Sequence, residues 1–156
     1  GGSNTINVLG GDGIVRLDYR GQSGGINANL TTGQIAHFEG TDTVTGLGSG
    51  PTVEVAGTSA TDSFIGSMYD DRFIGGAGSD TMDGRDGNDM VRYDRFGVTA
   101  VNVNLETGRA TGTWSGTAFT HTLLNIESVR GSRDDGDSLI GNSAGNRLDG
   151  RGGNDV

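Results

Sequence analysis

This sequence predicts an all-β fold, a thin and repetitive parallel solenoid, and three observations lead there. The first is composition. Only 31% of the 156 residues are hydrophobic while 31 are Gly, too little apolar material for a thick two-layer core. Such a chain is disordered or is held by something other than a large interior. A single proline and recurrent short Val/Ile/Leu/Phe punctuation argue for the second. The other two observations are a duplication and, inside it, a period of nine.

The duplication appears when the sequence is slid against itself by 76 residues. Gly2-Ser3-Asn4-Thr5-Ile6-Asn7 then meets Gly78-Ser79-Asp80-Thr81-Met82-Asp83, and Val15-Arg16-Leu17-Asp18 meets Val91-Arg92-Tyr93-Asp94. After a one-residue gap, residues 26–33 align with 101–108, and Asp62-Ser63-Phe64-Ile65-Gly66 aligns with Asp137-Ser138-Leu139-Ile140-Gly141. We therefore expect one continuous solenoid over 1–156 made of two units of about 75 residues. Copy one runs from about 2 to 77, with a degenerate coil at 2–15, irregular strands at 16–56 and nonapeptides from 57. Copy two runs from about 78 to 156, with nonapeptides to 92, irregular strands at 93–130 and nonapeptides again at 132–156.

Four units of nine follow one another at Gly57, Gly66, Gly75 and Gly84. Position six is Asp62, Asp71, Asp80 and Asp89, and position eight is Phe64, Phe73, Met82 and Val91. Residues 132–140 and 141–149 continue the pattern with Asp137 and Asn146 at position six, and a further unit opens at Gly150 with Asp155. Each unit reads as a six-residue turn followed by a three-residue strand with one inward side chain. Successive turns fall on opposite edges, so strands of one sheet lie eighteen residues apart and about 4.8 Å apart in space. Asp62 then stacks on Asp80 and Asp71 on Asp89. Two carboxylates at that spacing repel by roughly 1 kcal/mol in water and several times more in a lower dielectric. A hard dication between the turns reverses the sign, and Ca²⁺ accepts carboxylates and backbone carbonyls alike.

This nonapeptide resembles the G-G-x-G-x-D-x-U-x repeat of RTX (haemolysin-type) calcium-binding proteins. The resemblance implies a parallel β-roll, Ca²⁺ as cofactor, and ligands from carbonyls two and four with Asp six of one loop. These face carbonyls one and three with Asp six of the next loop on the same edge. It thus implies one site from Thr58, Ala60 and Asp62 with Gly75, Ala77 and Asp80. A second joins Ser67, Tyr69 and Asp71 with Gly84, Asp86 and Asp89. A third joins Arg133, Asp135 and Asp137 with Gly150, Gly152 and Asp155, although one residue is inserted before Asp137. Asn4 and Gly13 stand where copy two has Asp80 and Asp89, so residues 2–15 are expected to keep the shape without a metal.

Other features bound the function. The net charge is −9, all 11 basic residues are Arg and no basic stripe exists, which argues against nucleic acid. No cysteine is available for disulfides or thiolate metal sites, no apolar run approaches a membrane span, and the N-terminus is no signal peptide. The chain begins and ends inside repeat units, which suggests a piece of a larger protein with flanking domains. The alternating stretches 26–30 and 101–105 read as strands with one buried face, and Arg109–Thr122 as a projecting hairpin or loop. Trp114 is expected to fill a gap in the solenoid, with stacking on a sugar ring as the alternative. Arg92, Arg95, Arg109, Arg130 and Arg133 are expected to pair with surface Asp, with an anionic polysaccharide as the alternative partner. His37 and His121 look isolated, no nucleophile motif occurs, and Glu54 and Glu127 fall in matching places of the two copies, so no catalytic residue is expected.

By resemblance, the function is that of an extracellular, calcium-folded module exported by type I secretion. It serves an adhesin or matrix protein, accompanies a secreted enzyme, or binds polysaccharide as the R-modules of alginate C5-epimerases do.

Overall fold

The computed structural model describes residues 2–48 and 51–156, and every regular element among them is a β-strand. In chain order these are β1 (Thr5–Asn7), β2 (Ile14–Asp18), β3 (Asn27–Asn29), β4 (Gln34–His37), β5 (Gly40–Thr45), β6 (Thr52–Ala56), β7 (Ser63–Ile65) and β8 (Asp71–Ile74). Then follow β9 (Thr81–Asp83), β10 (Met90–Arg92), β11 (Val98–Asn104), β12 (Arg109–Trp114), β13 (Thr117–Leu124), β14 (Ser128–Arg130), β15 (Ser138–Ile140) and β16 (Arg147–Asp149). They form two open sheets. The larger runs β1-β5-β4-β3-β7-β9-β13-β12-β11-β15, and the smaller β16-β14-β10-β8-β6-β2.

The nonapeptides coil as their period predicts. β7 pairs with β9 in parallel, Phe64 opposite Met82, and β8 with β10, Phe73 opposite Val91, each eighteen residues on. Position eight is the inward position: Phe64, Phe73, Met82 and Val91 are all buried, and the Phe64 and Phe73 rings meet across the core at 5.6 Å. With one or two apolar side chains per strand, the interior is a single file of rings and methyls.

Between the arrays the solenoid departs from pure parallel stacking. In the smaller sheet Val15 opposes Val53 and Val91 opposes Val129, steps of 38 residues in place of eighteen. The added length folds into two further strands of the larger sheet, giving an antiparallel meander in each copy, β3-β4-β5 and β11-β12-β13. Their turns are legible in the residues. Asn29 accepts a hydrogen bond from the Thr32 amide and Asn104 from that of Thr107, while Gly33 and Gly108 close each turn at positive φ. Ser115 (φ 50°) and Gly116 (φ 80°) join β12 to β13 as a type I′ hairpin.

This corrects the expectation for Arg109–Thr122. The segment does not project; β12 and β13 lie inside the larger sheet, between β11 and β9. The reason is alternation: Ala110, Phe119, His121 and Leu123 all turn inward and are buried.

Candidate metal centre

The acidic positions of the nonapeptides lie on the two edges where turns stack. On the edge feeding the larger sheet, the Asp62 amide donates to Asp80 Oδ1 at 2.8 Å and the Asp137 amide to Asp155 Oδ1 at 3.0 Å. On the opposite edge the Asp71 amide donates to Asp89 Oδ1 at 2.7 Å. Each carboxylate therefore reaches the coil before it. Within its own turn, Oδ2 of Asp62, Asp71 and Asp137 accepts the amide of Thr58, Ser67 and Ser132. The loop leading to Asp137 is one residue longer and still closes in the same way.

Carbonyls complete the cradle. A Cβ on Gly57 would overlap both Asp62 Oδ2 and the Gly75 carbonyl oxygen; one on Gly66 would overlap the Gly84 carbonyl, and one on Gly131 Asp137 Oδ2 and the Gly150 carbonyl. Lower in the turns the Thr58, Ala60 and Tyr69 carbonyls press on Gly76, Gly78 and Gly87, and that of Arg133 on Gly152. Carboxylate and carbonyl oxygens thus crowd the space between turns, where only glycine leaves room.

The electrostatics demand a cation. Asp62, Asp71, Asp80, Asp89 and Asp137 are each at most 2% exposed, whereas Asp155 lies at the open end and is exposed. Burial, reinforced by Asp80, pushes the Asp62 carboxyl up to about 6. Burial, reinforced by Asp71, Glu127 and Asp70, pushes Asp89 up to about 8, and burial also raises Asp71. No arginine forms an ion pair with Asp62, Asp71 or Asp89 among the described residues, and Asp80 Oδ2 and Asp89 Oδ2 are buried without a hydrogen-bond partner. A charged group so placed is costly unless neutralised.

Among the described residues no three His, Cys, Asp or Glu side chains converge on one point. That suits a hard cation bridged by two carboxylates and several carbonyls rather than a metal held by side chains alone. The donors present are all oxygens, as Ca²⁺ requires.

Other expected residues are placed as follows. Arg92 pairs with Glu54 and Asp94, Arg95 with Glu54, and Arg130 with Asp94 and Asp149. Arg109 is exposed, with no ion pair among the described residues. Trp114 is half-buried against the core and, with Arg20, Thr58, Ser59 and Ala77, lines a cavity of about 290 Å³.

Two expectations are overturned. Glu54 and Glu127 do not occupy matching places: Glu54 lies buried mid-strand in β6 among Arg16, Arg92 and Arg95, while Glu127 precedes β14 and accepts the Asp89 amide. Strand register, not sequence offset, decides equivalence; the residue opposite Glu127's coil position in copy one is Pro51. Nor are the histidines isolated. His121 is buried, its Nε2 lies 3.0 Å from Asp80 Oδ2 without hydrogen-bond alignment, and its Nδ1 meets the Tyr93 hydroxyl at 3.2 Å. His37 Nε2 lies 3.4 Å from Asp42, which also accepts from Tyr19 and Asn4. Both contacts span about forty residues, and no local motif announces them.

A parallel roll with buried carboxylates stacked across glycine turns defines a class of calcium-binding repeat. Residues 57–91 match the family model of the RTX calcium-binding nonapeptide repeat in four copies, and this segment is an RTX repeat array. Such repeats bind Ca²⁺, which is the cofactor of the array. No curated protein matches the chain. No helix of the described residues is long and apolar enough to cross a membrane.

Proposed function

We propose that this module is folded by calcium outside the cell, as a structural part of a larger secreted protein. Asp62 and Asp80 hold one ion with the Thr58, Ala60, Gly75 and Ala77 carbonyls. Asp71 and Asp89 hold a second with those of Ser67, Tyr69, Gly84 and Asp86. Asp137 and Asp155 hold a third with those of Arg133, Asp135, Gly150 and Gly152. The observation that carries the reading is the stack of buried carboxylates, one coil apart, that no arginine neutralises.

The physics then works as a switch. Where calcium is scarce the stacked carboxylates oppose the roll and keep the chain loose enough for export. At extracellular, millimolar calcium each site adds RT ln(1 + [L]/Kd), roughly 1 kcal/mol at tenfold saturation. A few coupled sites suffice for a chain with so narrow an interior. Arg92, Arg95 and Arg130 are consumed by internal acids, so the arrangement lends the polysaccharide reading no comparable support.

Circular dichroism in EGTA and then in millimolar calcium tests the proposal. A β-sheet signal that appears with calcium is expected; a spectrum identical in both refutes the switch.

A further inference from the structure

The second edge does not stop at Asp89. We infer that an additional divalent-cation site, suited to calcium, lies between turn 84–89 and the short turn Asn125-Ile126-Glu127, with Asp89 and Glu127 as its carboxylates. It extends the array across the 38-residue coil and uses a glutamate where the nonapeptide uses position six. The inference rests on the calcium reading proposed above.

Three observations carry it. First, the hydrogen-bond relay is the same. The Asp89 amide donates to Glu127 Oε2 at 2.9 Å, as the Asp71 amide donates to Asp89 Oδ1 and the Asp62 amide to Asp80 Oδ1. Glu127 makes no other side-chain hydrogen bond to the described residues, which leaves Oε1 for a ligand. Second, the carbonyl is in place. A Cβ on Gly84 would overlap both Asp89 Oδ2 and the Asn125 carbonyl oxygen, just as one on Gly57 would overlap Asp62 Oδ2 and the Gly75 carbonyl. Asn125 takes positive φ (50°), which lets three residues deliver a carbonyl that the nonapeptide delivers from a six-residue turn.

Third, Asp89 is 0% exposed and its Oδ2, on the Asn125 side, has no hydrogen-bond partner. In the nonapeptide turns the equivalent oxygens of Asp62 and Asp71 accept an amide of their own loop. In turn 84–89 the Arg85 amide is diverted to Asp83, so Asp89 Oδ2 has only an incoming ligand to meet. None of Asp70, Asp71, Asp89 and Glu127 forms an ion pair with the described residues.

The duplication supplies an internal control. In copy one the Thr52 amide donates to the Gly13 carbonyl, as the Ser128 amide donates to that of Asp89. Gly13 and Pro51 thus stand where copy two has Asp89 and Glu127, and the two acids are absent together. The other edge behaves differently, because past Asp80 the next coil presents His121 rather than a carboxylate.

The test counts calcium ions on the whole 156-residue chain, by native mass spectrometry and isothermal titration, for the wild type, Asp62→Asn and Glu127→Gln. Glu127→Gln is expected to bind one ion fewer than the wild type while its β-sheet signal in saturating calcium is unchanged. A wild-type count in Glu127→Gln, alongside a lost ion in Asp62→Asn, overturns this site and leaves the nonapeptide sites standing. A wild type that binds no calcium overturns both. Should Glu127→Gln fail to fold, calcium anomalous diffraction from wild-type crystals decides. A peak about 2.3–2.6 Å from Asp89 Oδ2 and Glu127 Oε1 is expected; peaks at the nonapeptide turns with none here refute it.

Discussion

Replacing Gly78 by alanine tests the geometry of the turns against a built-in control. Gly78 has φ 109°, and an added Cβ would stand 2.6 Å from the Ala60 carbonyl oxygen and 2.9 Å from its carbon. Restoring an ordinary carbon–oxygen contact of about 3.3 Å requires separating loops 57–62 and 75–80 by roughly 0.7 Å. Calcium tolerates oxygen distances only over about 2.3–2.6 Å, so a shift of that size takes Ala60 out of reach of a shared ion. Gly116 has φ 80° with nothing within 4 Å of its would-be Cβ, so Gly116→Ala carries the backbone cost alone. That cost is about 1–2 kcal/mol. Spread over two coupled ions, it raises the calcium midpoint of folding about two- to fivefold. Gly78→Ala bears the same cost plus the lost ligand, and its midpoint should rise more than about tenfold, with one ion fewer bound. Calcium titrations followed by circular dichroism, with the ion count from calorimetry, supply both numbers. Equal midpoints and equal counts for the two variants would refute the reasoning that loop spacing governs binding.

Further expectations concern pH and the arginine cluster. Asp62 and Asp89 have folded-state values raised by burial to about 6 and about 8 against an ordinary 3.8. The metal-free roll therefore holds protons that the unfolded chain has released, so its stability is greatest below about pH 4 and falls as pH rises towards 8. In EGTA the residual β signal should grow on acidification from pH 8 to pH 5; a signal that weakens over that range contradicts the assignment. Glu54 is buried, and although burial raises its carboxyl, Arg92 and Arg16 outweigh this and hold it low. Glu54→Gln leaves three arginines facing a neutral amide and should cost about 3 kcal/mol in calcium, a fall of roughly 6–12 °C in Tm by calorimetry. Arg109→Ala, at an exposed position without an ion pair, should stay within about 0.5 kcal/mol of wild type in the same experiment.

What could be read in advance follows from how local the determining physics is. The nonapeptide coils were legible because turn, strand and inward residue all sit within nine positions, and eighteen-residue stacking follows from alternating edges. The pairing of Asp62 with Asp80 and Asp71 with Asp89 came from the same arithmetic. The meanders were only half legible. Alternation at 26–30 and 101–105 announced strands, but that β12 and β13 enter the larger sheet depends on register with β9, to which Thr122 and Thr81 belong. Glu127, His121 and Asp42 escaped for the same reason. Each acts across a coil of about forty residues whose length no short motif encodes, and the sequence offset between copies differs from the structural one. Glycine at 84 and the left-handed Asn125 were the available signals, and both take meaning only once the coils are stacked.

The account's central claim is that metal bridges stacked aspartates in place of a larger apolar interior. Anomalous diffraction from crystals grown in calcium measures this most directly. Ions about 2.3–2.6 Å from the carboxylates of Asp62 and Asp80, and of Asp71 and Asp89, are the predicted result. Ordered turns with no ion between those pairs would contradict it.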